Sequence, residues 1–306
     1  MRRAVTLVFV LSYLLAACAG EDALSDPVPG QGDASDPTVP SPAGENSAAA
    51  LRLARAPAAT AAARTAHTTF VMTVAGMAGR PESFTFLGEG VIDFAAGMSR
   101  SLLDLSDALG TTRTTDTELE TITAGGQLFV RAPVLTFLSS DSEPWVRIDP
   151  MASGQDDPGK GGLGLAPLAG LAGSDAGAPI ALLAGIDASS VREIGDVPGG
   201  DNTITTLRAA VDPLAASRQD TTPEELAALE AFLDRLGARQ LQVDVELDEN
   251  DRLRSLVYEH AVPSPTGAVH QRFEVRYHDF GTAVEIDVPV DTQVRDLLDK
   301  GLQGPR

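Results

Sequence analysis

Residues 273–289 read FEVRYHDFGTAVEIDVP. Phe273, Val275 and Tyr277 alternate with Glu274, Arg276 and His278; beyond Asp279-Phe280-Gly281, Val284, Ile286 and Val288 alternate with Glu285 and Asp287. Strict period-two alternation puts one set of side chains on a covered face and the other in water, as in an antiparallel sheet with one solvated side. The spacing predicts two strands here, joined by a turn.

The same signal extends toward the N-terminus. In LQVDVEL, Leu241, Val243, Val245 and Leu247 alternate with Gln242, Asp244 and Glu246. Earlier β-type runs are TTFVMTV from Thr68, SFTFLGEGVIDF, SRSLLDLS, ELETIT, QLFVRA and PWVRID, then SSVREIGDV and TITTLRAAV joined at Gly199-Gly200. Glycine-rich or polar turns separate them, and such short connections favour antiparallel neighbours. Together the runs make about twelve strands, enough for one large, strongly curved antiparallel sheet. Helices are few. The best formed lies over TTPEELAALEAFLDRLGA, with Thr222 as cap, Pro223 in the first turn, Glu225 closing a capping box and Gly237 at the end. Others are expected in the Ala-rich residues 47–66, interrupted at Pro57, over APIALLAGID, and over DTQVRDLLD near the C-terminus. Residues 154–177 are apolar but punctured by glycine, and are expected to form a lid or an irregular loop.

At the other end stands VTLVFVLSYLLAACAG, which ends shortly after the only cysteine of the chain, Cys18. Arg2 and Arg3 precede an apolar stretch, Ala4 to Ala17, shorter than the ~20 residues a membrane-spanning helix needs. A basic head, a short apolar middle and small residues before a break mark an export signal. Leu15-Ala16-Ala17-Cys18 resembles the bacterial lipobox, which implies cleavage before Cys18 and acylation of its thiol, with palmitate among the acyl groups expected. Cys18 is then an anchor, holding the mature chain on the extracytoplasmic face of the cell membrane. Residues 1–17 form the signal peptide under this reading. Residues 18–46 form the anchor and a Pro-, Gly-, Ser- and Asp-rich tether that cannot bury enough surface to fold. Such a tether spans roughly 30 Å, and residues 47–306 form one domain.

The formal charge is −20, and loss of Arg2 and Arg3 takes it to about −22. A chain this acidic is pushed away from nucleic acid and from anionic headgroups. Only Lys160 and Lys300 are lysine among the basic residues, and with so much alanine and glycine this fits a GC-rich, actinobacterial genome.

The lipobox, the acidic tether, the many-stranded meander interrupted by mid-chain helices and the final FEVRYHDFGTAVEIDVP together resemble actinobacterial lipoproteins of the LppX/LprG type, within the wider LolA-like carrier fold. Tyr277, Asp279, Phe280 and Gly281 match that family's aromatic-Asp-aromatic-Gly turn. ARQLQVDVELDENDRLRSL matches its penultimate hairpin, with an acidic turn at Asp248 to Asp251. The resemblance covers roughly residues 58 to 299 and implies an α+β half-barrel whose concave face is covered by a few helices, with a hydrophobic cavity that binds acyl chains of lipoproteins or glycolipids.

Physical chemistry supports the same expectation. A dozen strands with one apolar face must be covered, and the helices are few and modest. A curled sheet can enclose more space than its side chains fill, and a dry apolar cavity takes hydrocarbon. Each buried CH₂ is worth ~0.8 kcal/mol, so no charged residue is required. The candidate lining is Phe70, Met72, Val74, Phe84, Phe86, Ile92, Phe94, Leu103 and Leu105 from the strands, with Leu182, Leu183, Leu229 and Phe232 from the helices; the bland alternative is that these simply fill a core.

Catalytic signals are missing from the sequence. No G-x-S-x-G elbow occurs, and GKGGLG lacks the spacing of a phosphate loop. His260 and His270 flank PSPTG, but with His67 and His278 they offer no third ligand at zinc spacing. Asp248, Glu249 and Asp251 lack the glycine and distal glutamate of a calcium loop and read as a solvated turn. Trp145 and Tyr277 read as packing residues. The expectation is a lipid carrier with no catalytic residue, metal or cofactor, whose partners are an acylated amphiphile and the membrane through its anchor. The alternative is an envelope sensor or docking module for a protein partner.

Overall fold

A computed structural model describes residues 43–76, 83–114, 117–131, 145–148, 178–199, 202–217, 230, 239–264 and 267–296. Its strands are β1 (Thr65–Ala75), β2 (Phe84–Asp93), β3 (Met98–Asp104), β4 (Glu118–Ala124), β5 (Gln127–Arg131), β6 (Trp145–Ile148), β7 (Arg192–Gly199), β8 (Asn202–Val211), β9 (Leu241–Leu247), β10 (Leu253–Ser264), β11 (Gly267–His278) and β12 (Val294–Asp296). All twelve join one sheet in the order β12-β6-β5-β4-β3-β2-β1-β11-β10-β9-β8-β7. Two meanders, β1 to β6 and β7 to β11, grow outward in opposite directions from the antiparallel β1–β11 pair. Every pairing is antiparallel except β12 with β6. The expected α+β class, one large open and mostly antiparallel sheet with a few helices, is what the chain adopts.

The alternation read from the sequence assigns the faces. Along β11, Val269, Gln271, Phe273, Val275 and Tyr277 are buried, while His270, Arg272 and Arg276 are exposed. The buried set points to an inner face that gathers one apolar cluster from every strand between β5 and β11. Ion pairs line the outer face: Glu120 is bracketed by Arg100 (2.6 Å) and by Arg131, and Arg208 grips Asp244 at 2.7 Å. The two hydrogen bonds and the charge of Asp244 push the Arg208 pKa upward.

Four helices are described: α1 (Ala43–Ala62), α2 (Ser106–Leu109), α3 (Ala178–Leu182) and α4 (Pro213–Ser217). α1 begins inside the stretch read as tether and runs through Pro57 without the expected interruption. Proline in a helix interior costs ~3 kcal/mol or more, and packing offsets it. Ala49, Leu53, Ala56 and Thr60 recur at helical spacing and are all buried.

Docking of α1 also corrects the reading of the acidic turn. Asp248 is only 2% exposed. Its carboxylate accepts the backbone N–H of Asn250 and Arg252 and pairs with the Arg252 guanidinium at 2.7 Å. Asp251, left-handed at φ 58°, holds Arg52 at 2.7 Å and Arg55 at 2.8 Å. Arg52 also donates to Thr205 Oγ1 and to the carbonyl of Asp248. The Asp251 carboxylate is turned toward the helix while that of Asp248 holds the turn itself, so this turn is a clamp on α1 rather than a solvated loop.

The C-terminal stretch departs further from expectation. Residues 282–290 are extended but form no strand. β11 already has β1 on one side and β10 on the other, so the segment after its turn finds no free edge to pair with. It crosses the outer face instead, where Ile286 packs on Ile122, Phe129 and Trp145. Over the described residues 291–296, the helix expected for DTQVRDLLD gives way to a 3₁₀ turn, Asp291–Gln293, and to β12, which pairs with the otherwise open edge of β6. That edge satisfies its backbone, and Val294 joins the same outer cluster.

Candidate functional site

The inner face unites the residues proposed to line a cavity. Phe70, Val74, Phe84, Phe86, Ile92, Leu103, Leu105, Leu182 and Leu183 are buried in one apolar cluster, and Met72 and Phe94 pack against it half-buried. Leu229, Phe232, the helix over residues 222–237 and the glycine-rich segment 154–177 lie outside the described residues.

Strand register explains the grouping. Successive inner-face rows run Val275–Phe70–Gly88–Leu103–Leu119 and Phe273–Met72–Phe86 across neighbouring strands. Gly88 has no side chain because the ring of Phe70 occupies that place: a Cβ on Gly88 would lie 1.9 Å from Phe70 Cζ. Phe70 stacks on Phe273 with centroids 6.4 Å apart, Phe273 meets Tyr258 at 5.3 Å, and Phe84 meets Phe86 edge-on at 5.3 Å.

α1 joins this cluster through Ala49, Leu53 and Ala56 and is tied down at one end of it. Its contacts through Arg52 and Thr60 fall on the β9–β10 turn and on Leu253, whose N–H donates to Thr60 Oγ1. Phe280 lies at the same end, with the guanidinium groups of Arg252 and Arg254 4.8 and 5.5 Å from its ring centre. Tyr258 stands five residues further along β10, ~17 Å from Leu253 at strand rise. Burial drives its phenol pKa upward, so the hydroxyl stays protonated.

At that far end the inner face carries polar atoms that the sequence analysis did not single out for this role. Gln271 and His260 are register partners on β11 and β10. The amide nitrogen of Gln271 and Nε2 of His260 are buried without hydrogen-bond partners. Desolvation lowers the pKa of His260, which keeps its ring neutral. The visible signal was Gln271 at an apolar position of a strictly alternating strand. His270, opposite Ala261, points outward and does not meet His260.

The histidine pair that does form is His67 with His278, register partners with ring centroids 5.9 Å apart on the outer face. His278 Nδ1 lies 2.8 Å from Asp279, and this hydrogen bond is the main cause that lowers the Asp279 pKa. Among the described residues no group of three or more His, Cys, Asp or Glu is arranged to hold a metal, and no helix is long and apolar enough to cross a membrane.

No known family profile matches the chain, and no curated protein matches it in sequence. Among solved structures, the MucA/MucB complex of Pseudomonas aeruginosa aligns at 12% identity over 81% of this chain and 59% of that chain, with a TM-score of 0.29. A LolA-superfamily protein from Nitrosomonas europaea aligns at 10% identity over 76% of this chain and 91% of that chain, with a TM-score of 0.26. MucB in complex with MucA(peri) aligns at 13% identity over 81% and 58%, with a TM-score of 0.28. The chain therefore spans less than two thirds of the MucA/MucB chains it matches. Similarities at this level assign it no family.

Proposed function

We propose that this protein is a membrane-anchored, extracytoplasmic carrier that binds the acyl chains of a lipid or acylated amphiphile against the inner face of its sheet. One observation carries the reading. Phe70, Met72, Phe84, Phe86, Phe273 and Tyr258 are gathered on neighbouring strands of that face in one apolar cluster. Aromatic and flexible apolar side chains of this kind suit a guest of irregular shape. The sequence resemblance to LppX/LprG-type lipoproteins supports the same reading, and the lipobox-like Leu15-Ala16-Ala17-Cys18 supports the address. Binding requires no covalent step, metal or cofactor.

The test is extraction of the purified full-length chain into organic solvent, followed by mass spectrometry, together with titration by a fluorescent fatty acid. Co-extracted lipid and saturable uptake are expected. Absence of both would overturn the proposal.

A docking role for a protein partner has a different basis. On the outer face Val71 and Leu87 are register partners, 36% and 52% exposed. A stable envelope complex lost on changing Val71 and Leu87 to aspartate, in a protein that takes up no lipid, would favour that reading instead.

A further inference from the structure

Phe84, Val74, Gln271 and His260 follow one another in register across β2, β1, β11 and β10. Gln271 sits between Val269 and Phe273 on the inner face and is 4% exposed. Neither its Nε2 nor the Nε2 of His260 beside it has a partner. The large majority of buried side-chain polar atoms in folded proteins are paired, because an unpaired one forfeits its hydration for nothing. A third unpartnered atom of this face, Thr68 Oγ1, lies apart from them toward the other end, and two adjacent orphans on neighbouring strands therefore mark a place where another molecule supplies the missing hydrogen bonds.

The chemistry of that molecule follows from the donors. An amide NH₂ only donates, so Gln271 requires an acceptor. His260 is neutral, and its Nε2 donates when the proton lies there. Of the charged residues on these two strands, Glu259, Arg272, Glu274 and Arg276 pair with one another on the outer face, and Arg254 lies at the other end against the ring of Phe280. Among the described residues, a phosphate or carboxylate placed at Gln271 would have no countercharge beside it, and buried anions need one. An uncharged carbonyl would not. In the next row Phe86, Met72, Phe273 and Tyr258 continue the surface with apolar bodies.

We propose that Gln271 and His260 form a polar seat for the carbonyl of a neutral acyl ester, whose hydrocarbon chain lies along Phe86, Met72 and Phe273. This rests on the lipid-binding reading above and narrows it from any amphiphile to one held at an uncharged ester linkage.

Two pyrene-labelled chains of equal length, one a methyl ester and the other the plain hydrocarbon, are titrated into the purified full-length chain. The native protein is expected to prefer the ester by about tenfold, the worth of a buried hydrogen bond. Gln271→Leu is expected to abolish that preference while the unliganded protein melts no lower than the parent, since the substitution removes an unpaired buried amide. Gln271→Met and His260→Phe read the same ratio should Gln271→Leu fail to fold. Equal affinity of the native protein for both probes, or an ester preference that survives in the variants, overturns the seat and leaves lipid binding standing. Failure of both probes to bind overturns the lipid-binding reading and the seat with it.

Discussion

The ring of Phe70 lies across the face of Gly88, its register partner, so closely that a methyl group on Gly88 would sit 1.9 Å from Cζ and 2.1 Å from Cε2 of the ring. Phe70 is 4% exposed and stacked on Phe273, so it has little room to retreat. Gly88→Ala should therefore destabilise the protein by about 1–3 kcal/mol, the usual cost of overpacking. Gly88→Val should cost more. Urea denaturation checks both, and Phe70→Leu combined with Gly88→Ala should cost less than the two single changes added together.

Arg52 ties α1 to the sheet by three hydrogen bonds, to Asp251, Thr205 and the carbonyl of Asp248. Arg52→Ala should cost about 1.5–3 kcal/mol, the range for hydrogen bonds to charged groups. Backbone amide exchange over residues 43–62 should quicken more than exchange in β10 and β11. Equal quickening everywhere would show that the clamp does not act on the helix.

Trp145 is the only tryptophan of the chain and lies 8% exposed beneath the strap that carries Ile286. Ile286→Asp should lift the strap from Ile122, Phe129 and Trp145. A red shift of tryptophan emission is expected while far-ultraviolet dichroism stays close to native, because the strap contributes no strand between residues 282 and 290. Unchanged emission would mean that the contact does not persist in solution.

His260 ties stability to pH. Desolvation lowers its folded pKa below the ordinary 6.5, while the unfolded chain titrates near that value. Below pH 6.5 the unfolded state binds more protons than the folded one, so stability falls as pH drops from about 6.5 toward the folded pKa. Above pH 6.5 the contribution is complete. Gln271 and Tyr258, its inner-face neighbours, carry no charge in this window. Melting temperatures from pH 7.5 to 5 should decline less steeply in His260→Gln than in the parent; parallel curves would remove His260 as the cause.

Much of the sheet was legible in the sequence. Strict alternation in residues 241–247 and 273–278 identified strands and their buried faces, because the period of a strand is a local property. Gly88 and Gly90, in contrast, carry no local signal within the run SFTFLGEGVIDF. Their meaning comes from the strands on either side: the ring of Phe70 fills the space at Gly88, and the Arg100 carbonyl with the hydroxyls of Ser101 and Thr68 fills it at Gly90. The acidic turn was misread for a related reason. The carboxylate of Asp251 is bound by Arg52 and Arg55, about two hundred residues earlier in the chain, and no local pattern records such a partner.

The sequence by itself determined the alternating strands, the excess of negative charge, and the short apolar run near the N-terminus with its single cysteine. These follow from neighbours a few residues apart. Tertiary structure decided which alternating segments became strands: Val284, Ile286 and Val288 alternate as well as β11 does, yet remain unpaired because β1 and β10 already hold both edges of that strand. It also set Gln271 beside His260 without partners, since register fixes which residues of separate strands meet and which buried groups are left unsatisfied.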